Sequence, residues 1–241
     1  MKKLKLMLLL RSLLFFIGQA ITAPIFTLIA LLAMPLNPIL RNDLISGWAR
    51  SMLWWLRVTC NIRHEITGLE NIGNSPTIVL SKHQSAWETL AFQAIFPTQV
   101  YVLKRELLWI PIFGWGLAMS SPIAIDRSAG REALKKLVAK GKTRLDQSFW
   151  VVIFPEGTRI APGERSKYHI GGAWLATHTK TPVLPVAHNA GVYWAKNTFI
   201  KKPGVIKMHI GNLIQTAELK ADALNQQVES WIEAEMLALD K

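Results

Sequence analysis

Trp150-Val151-Val152-Ile153-Phe154-Pro155-Glu156-Gly157-Thr158-Arg159 decides the fold. Five apolar residues, rich in β-branched and aromatic types, read as a buried strand. Pro155 and Gly157 then end the ladder, since proline lacks the N–H and glycine admits turn backbone. Thr158 and Arg159 emerge at the strand's carboxyl end, where open α/β sheets bind ligands. The planar fork of Arg159 suits a phosphate, and Glu156 stands where it would hold that arginine.

Outward from this strand, short apolar runs alternate with helical patches. Further strands are expected at 77–80, 100–103, 123–125, 183–186 and 205–210, and helices at 87–95, 131–145, 172–178 and 217–239. This alternation predicts an α/β fold, a mixed sheet with flanking helices. In the 131–145 helix, Leu134, Leu137 and Val138 turn inward and Lys135, Lys136, Lys140 and Lys142 face water.

The first 59 residues differ. Between Ser12 and Leu40 no residue is charged, whereas Lys2, Lys3, Lys5 and Arg11 precede the run. About 20 apolar residues suffice to span a bilayer, and the basic flank argues for a cytoplasmic start. A cleaved signal ending at Gly18-Gln19-Ala20 is the competing reading, but the sequence stays apolar past that point through Phe26 and Leu32. Pro24, Pro35 and Pro38 predict a bend or a fold-back within one leaflet. Leu44, Ile45, Trp48, Met52, Trp55 and Leu56 then recur at helical spacing, with Asp43, Ser46, Arg50 and Arg57 elsewhere. Trp48, Trp54 and Trp55 are rings that settle at headgroup level. Two regions follow: membrane-anchoring helices over 1–59 and an α/β domain over 60–241.

The chain of 241 residues is 50% hydrophobic, 18% charged and carries a net charge of +12. That balance favours anionic partners. Its lysines are dispersed and no recognition module for nucleic acid appears. A single cysteine, Cys60, rules out an internal disulfide. His83, His169, His178 and His188 lack ligand spacing with acidic or thiol partners, so no metal is expected.

A second stretch, Ser81-Lys82-His83-Gln84-Ser85-Ala86-Trp87-Glu88, holds a histidine and an acid five apart, which taken alone reads more readily as a helix-capping or core histidine than as an acid–base pair. On one continuous helix, residues five apart lie about 140° round the axis and do not meet. They meet if His83 sits in the turn after strand 77–80 and Glu88 in the first helical turn. The carboxylate then accepts from one ring nitrogen and leaves the other free as a base.

His83 and Glu88 followed by Phe154-Pro155-Glu156-Gly157-Thr158-Arg159 resemble the glycerolipid acyltransferase family, especially its 1-acylglycerol-3-phosphate acyltransferases. Lys104-Arg105-Glu106-Leu107, Pro111, Gly114 and Ile125-Asp126-Arg127 resemble the family's second block, and Val183-Leu184-Pro185-Val186 its fourth. This chain departs from the pattern in having Glu88 where Asp is usual, as in lipid A acyltransferases, and Ile160 where Ser is common.

The resemblance implies that His83 is a general base oriented by Glu88. It implies that Lys104 and Arg159, with Arg105 and Arg127 behind them, hold the acceptor phosphate, and that Glu156, Gly157 and Thr158 shape the pocket. The acceptor implied is lysophosphatidic acid; another lysophospholipid, glycerol 3-phosphate or a lipid A precursor are the alternatives. The donor would be an acyl-CoA or acyl carrier protein thioester, with no cofactor. Trp109, Ile110, Ile112, Phe113 and Trp115 line an acyl groove or pack in the core. Membrane lipids are the expected surroundings: a bacterial inner membrane, with the active site facing the cytoplasm.

Overall fold

The computed structural model describes residues 2–239. Its helices are α1 Lys2–Leu32, α2 Pro38–Cys60, α3 Trp87–Ile95, α4 Phe113–Met119, α5 Gly130–Asp146, α6 Gly171–Thr179, α7 Ala190–Tyr193 and α8 Ala221–Leu239. Its strands are β1 Ile62–Thr67, β2 Ile78–Ser81, β3 Gln99–Lys104, β4 Ile123–Ile125, β5 Trp150–Ile153, β6 Val183–His188 and β7 Gly204–Ile210.

The strands form one seven-stranded sheet in the order β1-β7-β6-β2-β5-β3-β4. The β6, β2, β5, β3 and β4 strands are parallel neighbours, while β7 runs antiparallel to β6 and parallel to β1. The sheet is therefore mixed, as expected. Side chains alternate between its faces. Val79, Val152 and Leu184 pack with Met52 and Leu56 of α2 and Trp87 and Phe92 of α3. Ile78, Val151 and Ile153 pack on the other side with Leu137 of α5, Leu175 of α6 and Val228 of α8. Burial on both faces explains why β5 reads as an unbroken apolar run.

The expected bend at Pro24 is not where the chain turns. The first helix continues through Pro24 to Leu32, and the break falls at 33–37. Pro38 then opens α2 at its first position, where its missing N–H costs no bond, and the Asn37 side chain caps Ile39 N–H at 2.9 Å. The inward face of α2 also differs from expectation. Leu44 is exposed, whereas Asn42 and Ser46 are buried. They can be, because Asn42 Nδ2 donates to the carbonyls of Gln99 and Ser120 at 3.1 Å each and Ser46 donates to the Asn42 carbonyl at 2.8 Å.

The first helix lies along the body. Gly18 meets the Trp55 ring so closely that a Cβ would stand 2.2 Å from Nε1. Trp55 Nε1 donates to Leu14 O at 3.1 Å, Trp48 Nε1 to Thr22 Oγ1 at 3.0 Å, and Lys201 N–H to Ser12 Oγ at 2.9 Å. The opposite flank of α1 leaves Leu6, Leu10, Ile21, Leu28 and many like them exposed. By length and composition α1 is long and apolar enough to cross a membrane.

Candidate active site

The loop leaving β2 and the loop leaving β5 meet above the carboxyl ends of these two adjacent strands. His83 occupies the first. Its Nδ1 stands 2.8 Å from Glu88 Oε1, with the imidazole 15% exposed and the carboxylate fully buried. Placing one residue in the turn and the other in the first turn of α3 brings together groups that a continuous helix would separate.

Local sequence fixes this acid. Ser85-Ala86-Trp87-Glu88 forms a capping box: Ser85 Oγ accepts from Trp87 N–H at 3.1 Å, and Glu88 Oε1 reaches back to Ser85 N–H at 2.8 Å and Gln84 N–H at 2.9 Å. The same oxygen thus closes the helix end and holds the imidazole. Burial alone would raise the Glu88 carboxyl. His188, with Nε2 4.0 Å from the other oxygen, together with His83 and the backbone N–H of Ser85, outweighs burial and holds Glu88 below the usual glutamate range. An ionised carboxylate only accepts hydrogen bonds, so the proton between the two groups sits on His83 Nδ1, and Nε2 is the ring nitrogen that Glu88 does not engage. Phe154 stacks on the ring at 4.0 Å between centroids and 14° between planes, which fixes its orientation.

His83 faces a cleft of about 560 Å³. Lys104 at the end of β3, Arg127, Gly157, Thr158 and Arg159 line it, along with Lys196, which no local pattern in the chain marks out. The Lys196 ammonium lies 3.4 Å from Thr158 Oγ1. Arg127 donates to the Gly157 carbonyl, and Gly157 has φ +69°, the left-handed backbone glycine favours. Among the described residues, no acidic one lines the cleft. Its far wall is apolar and crosses the boundary drawn at residue 60: Ala23, Phe26 and Thr27 of α1, Ile45 and Trp48 of α2, and Phe113, Gly116 and Leu117 of α4 contribute.

Three expectations are corrected. Arg105 does not reach the cleft; it pairs with Asp126 at 3.1 Å and lies over Trp109 at 5.6 Å. Glu156 does not hold Arg159. It is turned inward, with Oε1 2.7 Å from Lys82 Nζ and Oε2 accepting the His83 N–H at 2.8 Å. Of the five apolar residues after Leu108, only Phe113 lines the cleft; Trp109, Ile110, Ile112 and Trp115 are exposed rather than packed in the core.

A buried carboxylate paired with an imidazole that lines a cleft of cationic and apolar residues has the chemical means to take a proton from a hydroxyl. The acyltransferase family model matches residues 63–189, and the chain belongs to that family; it is an O-acyltransferase. It is 42% identical over 231 residues to the 1-acyl-sn-glycerol-3-phosphate acyltransferase of Pseudomonas aeruginosa, covering 94% of this chain and 90% of that one. The enzyme of the same description from Cocos nucifera is 25% identical over 89% of this chain and 70% of its own. The crystal structure of the 1-acyl-sn-glycerophosphate (LPA) acyltransferase PlsC from Thermotoga maritima superposes with a TM-score of 0.80 at 22% identity, over 100% of this chain and 98% of that one, a likeness of fold.

Proposed function

We propose that this protein transfers a fatty acyl group from a thioester of coenzyme A or acyl carrier protein to the sn-2 hydroxyl of 1-acylglycerol 3-phosphate, forming phosphatidic acid for phospholipid synthesis. The observation that carries the reading is one cleft lined both by His83, Lys104, Arg127 and Arg159 and by Ala23, Phe26 and Thr27 of α1. The relatives' descriptions support the acceptor.

In this reading the cations hold the acceptor phosphate and its acyl chain lies against α1, α2 and α4. His83 Nε2 takes the hydroxyl proton as the oxygen attacks the thioester carbonyl carbon. Glu88 steadies the resulting imidazolium. The tetrahedral intermediate collapses, the C–S bond breaks, and the imidazolium returns its proton to the leaving sulfur. The thioester is already activated, so the step needs no enzyme nucleophile and no cofactor. General acid–base help of this type is worth about 10²–10⁴-fold.

Packing supports the membrane reading. Contacts to α1 run from the Arg11 carbonyl, which accepts from Cys60 Sγ, to Thr27 beside Gly116. At 1.5 Å per residue this seats about 24 Å of helix along the body. A helix standing through the bilayer would drag the catalytic module in with it. An in-plane helix with its apolar flank in one leaflet, joined by Trp109 and Trp115, suits these contacts better. The basic Lys2, Lys3, Lys5 and Arg11 favour the cytoplasmic leaflet of a bacterial inner membrane.

The test is an assay of the purified protein in detergent with a panel of acceptors and both donor carriers. His83→Ala is expected to abolish turnover with the fold retained. An acceptor panel in which 1-acylglycerol 3-phosphate is the poorest substrate would overturn the assignment.

A further inference from the structure

Lys82 stands beside His83 in the chain yet is only 1% exposed. A buried ammonium needs countercharge, and this one has two. Glu156 Oε1 lies 2.7 Å from Nζ and Glu233 Oε1 2.8 Å. Glu233 belongs to α8, outside the residues 63–189 that the family model matches. Tyr168 donates its hydroxyl to the same Glu233 oxygen at 3.0 Å, and Arg165 Nε reaches the other at 3.2 Å. Two cations and two carboxylates make the cluster neutral. Burial alone would lower the Lys82 ammonium, but Glu156 and Glu233 hold it above the usual lysine value; burial lifts the Glu156 carboxyl above the usual glutamate range, with Lys82 and the His83 N–H pulling against it, so its charge depends on them.

Lys82, Glu156, Tyr168 and Glu233 do not line the cleft, so they do not hold substrate. Buried ion pairs are also a weak source of net stability. What the cluster reaches is the backbone of the base. Glu156 Oε2 accepts the His83 N–H, and the His83 carbonyl accepts Ile160 N–H at 2.8 Å from the same loop. The Lys82 main chain is held as well, its N–H donating to Val186 O at 3.0 Å and its carbonyl lying 3.0 Å from His188 Nε2.

We propose that Lys82 and Glu233 are positioning residues: the buried ammonium, itself anchored by α8, keeps the Glu156 carboxylate charged and aimed at the His83 N–H, and so sets where the imidazole stands. The proposal rests on the reading of His83 as the base. Without the ammonium, two buried carboxylates face each other, and one takes up a proton. A protonated Glu156 is a poorer acceptor, and the His83 backbone loses its charge-assisted tether.

The experiment uses the full chain in detergent, an acyl-CoA and 1-acylglycerol 3-phosphate, with kcat, both KM values and the melting temperature recorded for each variant. Lys82→Met is expected to lower kcat about 100-fold, the loss typical of a misplaced reacting group, with both KM values within about threefold. Glu233→Gln, on a residue whose side chain is 12% exposed, tests the same idea without a buried orphan lysine; about a tenfold loss of kcat at unchanged melting temperature is expected from a weakened charge-assisted contact. The double variant Lys82→Met/Glu233→Leu separates positioning from stability: removing the second carboxylate with the ammonium is expected to raise melting temperature above that of Lys82→Met by relieving the like-charge contact, while kcat stays low because Glu156 still lacks its cation. Recovery of kcat along with melting temperature, or kcat within twofold of the parent in both single variants, overturns the proposal. His83→Ala is run beside them. If it is active, the base assignment itself falls; if it is inactive while Lys82→Met keeps its rate, only the positioning role falls.

Discussion

Glu88→Gln isolates the charge of the acid from its geometry. A glutamine also completes a Ser-x-x-Gln capping box, so the side-chain oxygen retains its bonds to Gln84 and Ser85 N–H and its contact with His83 Nδ1. What disappears is the negative charge facing the imidazolium that forms as the hydroxyl is deprotonated. With charge centres about 4 Å apart and an effective dielectric near 20, that attraction is about 4 kcal/mol. The retained neutral hydrogen bond returns about 1 kcal/mol. The net loss of about 3 kcal/mol corresponds to roughly a hundredfold in kcat. The assay is initial rate at saturating donor and acceptor, with thermal melting across pH. Because the folded Glu88 carboxyl is held below its unfolded value, its ionisation stabilises the fold above the usual glutamate range, and that contribution is lost as pH falls through the folded value. Parent and Glu88→Gln melting temperatures are therefore expected to converge on acidification. A variant that keeps kcat within twofold would refute the role of the acid in steadying the imidazolium.

Arg159→Met and Lys104→Met, at the cationic end of the cleft, are each expected to lower kcat/KM for the acceptor about 10- to 100-fold, as for loss of a charge-assisted contact, leaving the donor KM unchanged in a two-substrate kinetic analysis. Gly157→Ala forces a Cβ into left-handed backbone 2.7 Å from Arg127 Nη1; about 1–2 kcal/mol of strain and a displaced guanidinium should lower acceptor kcat/KM about tenfold. Gly18→Leu drives a side chain into the Trp55 indole and is expected to lift α1 from α2, read as loss of turnover together with a shift in tryptophan fluorescence.

The interior strands were legible because their residues meet apolar neighbours on both faces. All six expected strands occur, β5 among them. The strand β1 was not foreseen. It lies at the sheet edge, with Arg63, His64 and Glu65 exposed, and its partner β7 begins at Gly204, far along the chain. In the site, the meeting of His83 with Glu88 was legible through the family resemblance; spacing alone said only that the two could meet if a turn, rather than a continuous helix, separated them. The role of Glu156 was misread because Arg159 is its neighbour in sequence, whereas Lys82 and Glu233 are its neighbours in space. A lysine before a histidine looks solvated until α8 folds over it. Lys196 escaped for a similar reason: nothing local marks a loop lysine that tertiary folding carries to the cleft.

Phe26 and Thr27 belong to the helix that would hold the enzyme on its bilayer, and they are also cleft wall. A soluble fragment trimmed of that helix would therefore be a different catalyst. Its hydrophobic trough would be unroofed and open to bulk solvent. Water would then compete with the lipid alcohol for the activated acyl group, and such a fragment would waste donor by hydrolysis. On the function proposed above, attachment to the lipid phase and fidelity of transfer would be inseparable.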